Sequence, residues 1–264
     1  MHVSKSLALP LLLASMTSSA ATQIATAPIS AAPVTAPAIS RAPSALPIFN
    51  PAAEYVTAGQ DEPGYRAWYA AANWRPTYVQ AFHQYLINYG VGGVVPTWQL
   101  LRTATDWQRC GADPFEMPPT SEWPNIVATL RFVRDEVVPA VGPVEPVSVY
   151  RNPALNVCAG GAATSTHREM GAVDLVPLRP VTREDLMRRL CAIHLRRSAS
   201  TVGLGFYKGL RFHVDARKFR DWGMTGAHGG YGCAAVVAEG AMPFRADETP
   251  AATADPLAVL PRIQ

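Results

Sequence analysis

Stretches without apolar periodicity limit how much of this chain can fold. Residues 21–53 consist mainly of Ala, Pro, Thr and Ser, and residues 241–264 have a similarly loose composition. Such segments are typical of extended or disordered chain, so we expect a linker at 21–53 and a flexible tail at 241–264. The 264-residue chain is therefore predicted to form one folded domain, at residues 54–240.

Residues 1–20 are typical of an export signal. Lys5 provides a positive start, and an apolar run follows at residues 7–16. Ser18 and Ala20 are small residues placed for cleavage. The apolar run is shorter than the roughly 20 residues that a membrane-spanning helix needs. We therefore predict an exported protein, periplasmic or secreted, without a transmembrane anchor.

The four cysteines are even in number and follow an export signal. An oxidising compartment then favours two disulfides. A zinc site made of cysteines is disfavoured because no two of them share a CxxC-type spacing. Three pairings are open, and we favour the one that joins neighbours along the chain, Cys110 with Cys158 and Cys191 with Cys233.

The charge of the chain is mild, with a formal net value of +3. No block of Lys and Arg is dense enough to indicate a nucleic-acid partner, whereas contact with an anionic cell-wall polymer remains compatible with the sequence. Four arginines on one predicted helix fit such a polymer, but a solvated helix face is the favoured interpretation. They are Arg188, Arg189, Arg196 and Arg197.

Three helices are predicted from apolar residues at helical spacing. The first covers residues 76–90, the second starts at residue 120 or 121 and stops before Pro139, and the third runs from the N-cap Thr182 to about Arg197. Their apolar stripes are Val79, Phe82, Leu86 and Ile87; Ile126, Leu130, Val133 and Val137; and Leu186, Leu190 and Ile193.

Strands are predicted at residues 147–150, 172–176 and 206–214, the last as one strand or two, because these runs are rich in β-branched and aromatic residues. The order helix, helix, strand, strand, helix, strand, strand then favours an α+β fold. We expect a single domain in which helices flank a small, mainly antiparallel sheet.

Two short segments carry residues that suit a metal ion. Residues 165–174 contain His167 and Asp174, and the predicted strand at residues 206–214 contains His213. Catalytic zinc takes three nitrogen or oxygen ligands from the protein and keeps a position open for water. Two histidines and one aspartate meet this requirement.

The spacing of these residues is compatible with one site. His167 is expected on a loop, Gly171 is expected to permit a sharp reversal, and Asp174 is expected in the strand that points back to the same place. His213 and Asp215 alternate along a strand, so both side chains lie on the same face. Asp215 can therefore lie near the site without binding the metal.

Residues 165–174 resemble the string SxHxxGxAxD of the zinc D,D-peptidases. The matching residues are Ser165, His167, Ala172 and Asp174, except that the glycine, Gly171, falls one position later than in the string, so that the run reads Gly-Ala-Val-Asp. The later HVDxR segment at His213, the downstream Trp222, the turn Tyr150–Pro153 and Asn156 are also similar to that family. It comprises D-alanyl-D-alanine carboxypeptidases, vancomycin-resistance dipeptidases and murein endopeptidases, and the resemblance covers residues 147–222.

The resemblance implies a hedgehog/D,D-peptidase-like fold with Zn²⁺ on His167, Asp174 and His213. Water activated by the metal would attack a peptide carbonyl in peptidoglycan stem peptides or crosslinks, by carboxypeptidase or endopeptidase action. Arg151 would stabilise the oxyanion or bind a substrate carboxylate. A salt bridge that stabilises its turn is the alternative for Arg151.

The general base departs from the family pattern. Many members have Glu or Asp three residues before the last ligand, where this chain has Leu210. We expect Asp215 to act as the base and Glu169 to be the second candidate. Asp215 could equally orient His213 as a carboxylate behind the ligand.

Three other histidines are given structural roles, and one rival function stays open. His83 lacks a partner at ligand spacing, His194 is expected to be packed or exposed on its helix, and His228 lies in a Gly-rich loop. The rival to an enzyme is a non-catalytic cell-wall-binding module that keeps the peptidase fold. A zinc enzyme that acts on ordinary peptides is a third hypothesis.

Overall fold

The structure, a computed structural model, describes residues 48–197, 201–223 and 232–240. The predicted export signal, the C-terminal tail and His228 lie outside the described residues, as does most of the predicted linker. Part of that linker range is described, and there Pro51–Glu54 forms a 3-10 turn with Ala52 buried. No helix of the described ranges is long and apolar enough to cross a bilayer.

Helices and one sheet make up the described part of the chain. The helices are α1 (Glu62–Ala70), α2 (Arg75–Asn88), α3 (Trp123–Phe132), α4 (Val138–Val141), α5 (Pro153–Cys158), α6 (Arg183–Arg196) and α7 (Cys233–Gly240). The strands are β1 (Val144–Ser148), β2 (Ala172–Pro177), β3 (Gly203–Phe206), β4 (Phe212–Asp215) and β5 (Arg220–Trp222). Short 3-10 turns lie at Thr97–Leu101, Thr120–Glu122 and Thr166–Glu169.

The five strands form one sheet in the order β1-β2-β4-β3-β5. Three of its four pairings are antiparallel, and only β3 and β5 run parallel. This architecture confirms the predicted α+β class with a mainly antiparallel sheet.

Strand alternation divides the sheet into two chemically different faces. One face carries large apolar side chains that join the main core with residues from α2, α3 and α6: Val173, Leu175, Leu204, Phe206, Phe212 and Val214. The intervening residues on β2, β3 and β4 include Asp174, Gly203, Gly205, His213 and Asp215. The face away from the main core is therefore free to build a polar site.

The predicted helices are confirmed in position, with two corrections. The Thr182 hydroxyl caps α6 by accepting from the Asp185 amide at 3.1 Å, as expected. Ile87, predicted to face the core, is 47% exposed. The second helix does not stop before Pro139: a π-helical turn at Val133–Val137 leads into α4, where the proline occupies the first turn and its missing amide is tolerated.

The favoured disulfide pairing is confirmed. Cys110 bonds Cys158, and Cys191 bonds Cys233. The first bridge joins the loop after Thr97–Leu101 to the end of α5, and the second joins α6 to α7. Two disulfides are typical of a protein that matures in an oxidising compartment.

Candidate metal centre

Strand register brings two of the three predicted ligands together. Asp174 on β2 lies directly opposite His213 on β4. His167 reaches the same point from the 3-10 turn Thr166–Glu169, which immediately precedes β2. All three residues are buried, with exposures of 3% or less.

The three candidate ligand atoms form a small triangle. His167 Nε2 lies 3.2 Å from Asp174 Oδ1 and 3.0 Å from His213 Nδ1, and the last two atoms are 3.0 Å apart. Tetrahedral ligands about 2.0–2.1 Å from one ion are separated by roughly 3.3 Å. The triangle therefore needs only a slight expansion to surround an ion, and this buried group could hold a metal.

The outer nitrogen of each imidazole has its own partner. His167 Nδ1 lies 2.6 Å from the Val149 carbonyl oxygen, and His213 Nε2 lies 2.9 Å from Asp215 Oδ2. Because both partners accept hydrogen bonds, they hold the proton on the outer nitrogen and leave a lone pair on the inner one. Both rings are therefore arranged to bind a cation at the centre of the triangle.

Asp174 divides its two oxygens between the triangle and two arginines. Oδ1 faces the histidines, while Oδ2 accepts from Arg151 Nη2 at 2.7 Å and from Arg211 Nη2. Burial raises the pKa of this carboxyl, but the nearby His167 and Arg211 side chains and the surrounding hydrogen bonds outweigh burial and hold it well below its ordinary value. Asp174 is therefore an anion, as a metal ligand must be.

The two histidines differ in their tendency to take up a proton. Burial, then the Arg151 charge, lowers the pKa of His167 to about 4 despite the nearby carboxylate. Burial acts in the same direction on His213, but hydrogen bonds with Asp174 and Asp215 outweigh it and raise the His213 pKa. Without a metal, His167 is neutral at pH 7, and His213 is the histidine that competes for a proton.

The reversal after His167 is made by Met170 and not by Gly171 as expected. Met170 has φ of 53°, whereas Gly171 keeps an ordinary negative φ. Met170 stands three residues after His167, at the position of glycine in the family string. A left-handed residue with a side chain costs about 1–2 kcal/mol. Complete burial of the Met170 side chain offsets that strain.

Two side chains of helix α3 form hydrogen bonds with this turn. The Asn125 side chain donates to the Glu169 carbonyl at 2.7 Å, and the Thr129 hydroxyl donates to the Gly171 carbonyl at 2.7 Å. The position of His167 is therefore tied to the packed core of the domain through α3.

The two carboxylates considered as bases lie in different surroundings. Asp215 is fully buried and accepts from His213, from the Arg217 amide at 3.0 Å and from Arg220 at 2.7 and 3.3 Å. Burial raises its pKa, but the His213 hydrogen bond and charge outweigh burial and lower it. Glu169 is half-exposed and pairs with Arg217. Leu210 packs at the edge of the core.

Two glycines on β3 make room for the site, and sequence analysis did not single them out. A Cβ at Gly203 would lie 2.4 Å from Asp215 Oδ2, and one at Gly205 would lie 2.2 Å from the Trp222 ring. Trp222 in turn packs on His213 with ring centroids 4.8 Å apart. Alternating glycines in a strand indicate that neighbouring groups approach the backbone closely. This pattern is the sequence signal that could have identified the two residues.

His167 and His213 of the triangle line an open cleft of about 740 Å³. Its walls contain five cationic residues and one acidic residue, which makes the cleft favourable for an anionic ligand. The cations are Arg151, Arg211, Arg217, Lys218 and Arg220, and the acid is Asp106. Tyr207, Trp222 and small residues from 159–166 complete the lining, whereas Glu169 is not part of it.

The other described histidines stand apart from the cleft. His83 is exposed on α2 and shares a hydrogen bond with the Thr97 hydroxyl at 2.8 Å. His194 is buried on α6 against the Phe219 ring. Both placements agree with the structural roles expected for these residues.

Comparisons with models of known protein families, with curated proteins and with solved structures found no match.

Proposed function

We propose that this protein is a zinc metallopeptidase that hydrolyses peptide bonds in peptidoglycan stem peptides or crosslinks. The observation that carries the proposal is the triangle of His167, Asp174 and His213, whose two histidines line an open cleft. Two imidazoles and a carboxylate are a donor set that suits catalytic zinc. The resemblance of residues 165–174 to the zinc D,D-peptidases supports the choice of substrate.

Zinc in this position would polarise the scissile carbonyl and lower the pKa of water. The chain itself fixes the three ligands before any ion arrives. Arg151 and Arg211 keep Asp174 ionised and oriented, and Trp222 covers one side of His213. The basic walls would attract substrates with free carboxylates, as stem peptides have.

For the proton-handling step, the contacts of Asp215 favour an orienting role. Its oxygens are taken up by His213, Arg220 and the Arg217 amide, so little capacity remains for a water molecule in the cleft. Glu169 stays the second candidate for the base. Its ion pair with Arg217, a cleft residue, is half-exposed and can open.

The proposal is tested by metal content and product analysis on the same preparations. We expect about one zinc per wild-type chain and new stem-peptide fragments from purified peptidoglycan. His167→Ala should lose both properties, whereas His83→Ala, which removes an exposed histidine outside the cleft, should retain both. Absence of zinc from the wild type, or full zinc with no fragments from any substrate length, would rule out the enzyme.

A non-catalytic wall-binding module is the second candidate, and Leu210 favours it because a carboxylate is missing where the resembled family has one. Such a module would bind one zinc and sediment with peptidoglycan but release no fragments, and Asp215→Ala would leave that absence of fragments unchanged. Activity on casein-like substrates with none on muropeptides would instead indicate a peptidase of ordinary peptides.

A further inference from the structure

Tyr207 occupies a position in the cleft that the proposed function does not yet use. It follows β3 directly, and alternation places it on the same face as Gly203 and Gly205. Its amide donates to the Arg211 carbonyl at 3.0 Å, so the two residues are paired just beyond the β3–β4 ladder. The phenol therefore borders the cleft beside the metal triangle.

The backbone around Tyr207 is held from two directions. Arg183 donates to the Tyr207 carbonyl at 2.6 Å and also to the Gly209 carbonyl. The Tyr55 hydroxyl donates to the Lys208 carbonyl at 2.6 Å. A turn fixed in this way does not need to reorganise when a ligand enters, which is the condition for an effective electrostatic contact.

The Tyr207 side chain lies among the charged groups that hold Asp174. The Arg211 guanidinium carbon lies 4.4 Å from the centre of the Tyr207 ring. Burial, and then the Asp174 charge, raise the Tyr207 pKa to about 12, although Arg151, through its charge and a hydrogen bond, and Arg211 lower it. The phenol therefore stays protonated at any pH near neutral and can donate but cannot act as a base.

Two arginines of the cleft already donate hydrogen bonds to other groups of the site. Arg151 donates from Nη2 to Asp174 and from Nε to the Ser148 hydroxyl at 3.1 Å, and its side chain is only 8% exposed. Arg211 also donates to Asp174. Turning either guanidinium toward a substrate would weaken its hold on the buried carboxylate. A neutral donor beside them avoids this conflict.

We propose that Tyr207 is a catalytic residue that donates its phenol hydrogen bond to the carbonyl oxygen of the scissile amide. Water adds to the carbonyl carbon and gives one proton to the general base, for which Glu169 is the candidate, while the π electron pair moves onto oxygen and the Tyr207 hydrogen bond shortens toward that anion without transfer of its proton. When the pair returns, the C–N bond breaks and the amine leaves with the proton held by the base. Arg151, expected from the sequence to contact the oxyanion, then serves to position Asp174 and polarise the phenol. This inference rests on the proposed peptidase function.

The test removes one hydroxyl. Tyr207→Phe keeps the ring beneath Arg211, so we expect an unchanged melting temperature and unchanged zinc content. Loss of one oxyanion donor should lower kcat by roughly 10²–10³-fold with KM within about twofold. Tyr65→Phe is the matched control, because Tyr65 also has its pKa raised to about 12 by burial but packs against Trp68 and Phe115, away from the cleft lining.

A second measurement tests the Tyr207 contact independently of whether the protein has peptidase activity. The probe is a phosphinate analogue of a D-alanyl dipeptide, whose charged oxygen imitates the developing anion, titrated calorimetrically into zinc-loaded protein. Affinity at least tenfold weaker in Tyr207→Phe than in wild type and Tyr65→Phe supports the hydroxyl contact, even if turnover proves absent. Equal affinity in all three proteins, no binding to the wild type, or a wild-type kcat in Tyr207→Phe would overturn it.

Discussion

Two regions of this protein bury histidine, and they do so in opposite ways. In the candidate metal centre, both ring nitrogens of His167 and of His213 have polar partners within 3.2 Å. On α6, His194 is 0% exposed, yet neither of its ring nitrogens has a hydrogen-bond partner among the residues that the structure describes.

The surroundings of His194 explain the contrast. Its ring stacks flat on Phe219 with centroids 4.2 Å apart, and the nearest carboxylate, on Asp221, is 3.8 Å from Nε2, beyond hydrogen-bond distance. Burial lowers the pKa of His194. Burial alone therefore makes a neutral packing residue, whereas burial with convergent carboxylates makes a candidate metal ligand.

The largest expected effect comes from removal of the carboxylate of the candidate metal centre. Asp174→Ala leaves Arg151 and Arg211 without their buried anion, and loss of one partner of a buried pair costs about 3–5 kcal/mol. We expect this loss in the free energy of unfolding, measured in urea with EDTA present so that metal makes no contribution. A loss below about 1 kcal/mol would mean that the arginines are solvated and the centre is not closed.

The next largest effect tests the role of the Asp215 carboxylate, which lies behind His213. Asp215→Asn should weaken zinc affinity by about 10–100-fold, the usual consequence of losing such a partner, while Glu169→Gln should leave affinity unchanged. Competition against a chromophoric chelator measures both variants. Equal affinities would remove Asp215 from the support of the metal ligand.

Acid should weaken metal binding through His213. Its pKa is raised above 6.5, and the metal needs the neutral ring, so each ion displaces a proton whenever the pH lies below that pKa. Affinity should then fall toward tenfold per pH unit once the pH lies below the His213 pKa. His167, with a pKa of about 4, adds a second proton only below that value. Zinc affinities at pH 7.5, 6.5 and 5.5 that do not differ would contradict the assignment.

The smallest expected effect belongs to the other region. His194→Leu replaces a buried unpartnered imidazole by an apolar side chain, so stability should change by less than about 1 kcal/mol, in either direction, and zinc content should not change. Thermal unfolding and elemental analysis test this pair of outcomes. Zinc loss in this variant would show that the two regions are coupled through Phe219–Trp222.

Local sequence patterns predicted most of the helices and strands that have a cap or an apolar periodicity of their own. The capped helix at Thr182 and the strand containing Asp174 were found because caps and periodicity act over a few residues. Helices α1, α5 and α7, strand β5 and all of strand β3 except Phe206 were missed, because short elements carry too few apolar repeats to stand out. Pro139 was misplaced because a π-helical turn, invisible in the sequence pattern, accommodates it.

The sequence by itself predicted the α+β class and two disulfides of open pairing, since these depend on residue type and spacing, and the resemblance at residues 165–174 singled out the three residues of the candidate metal group. Only the tertiary structure decided which ring nitrogen faces the ion, that Asp215 lies behind His213, and that Arg211 and Tyr207 join the site. These last facts depend on strand register and on the space left by Gly203 and Gly205. A residue's spacing along the chain gives its face of a strand, but the neighbour that meets it is set by how the strands pair.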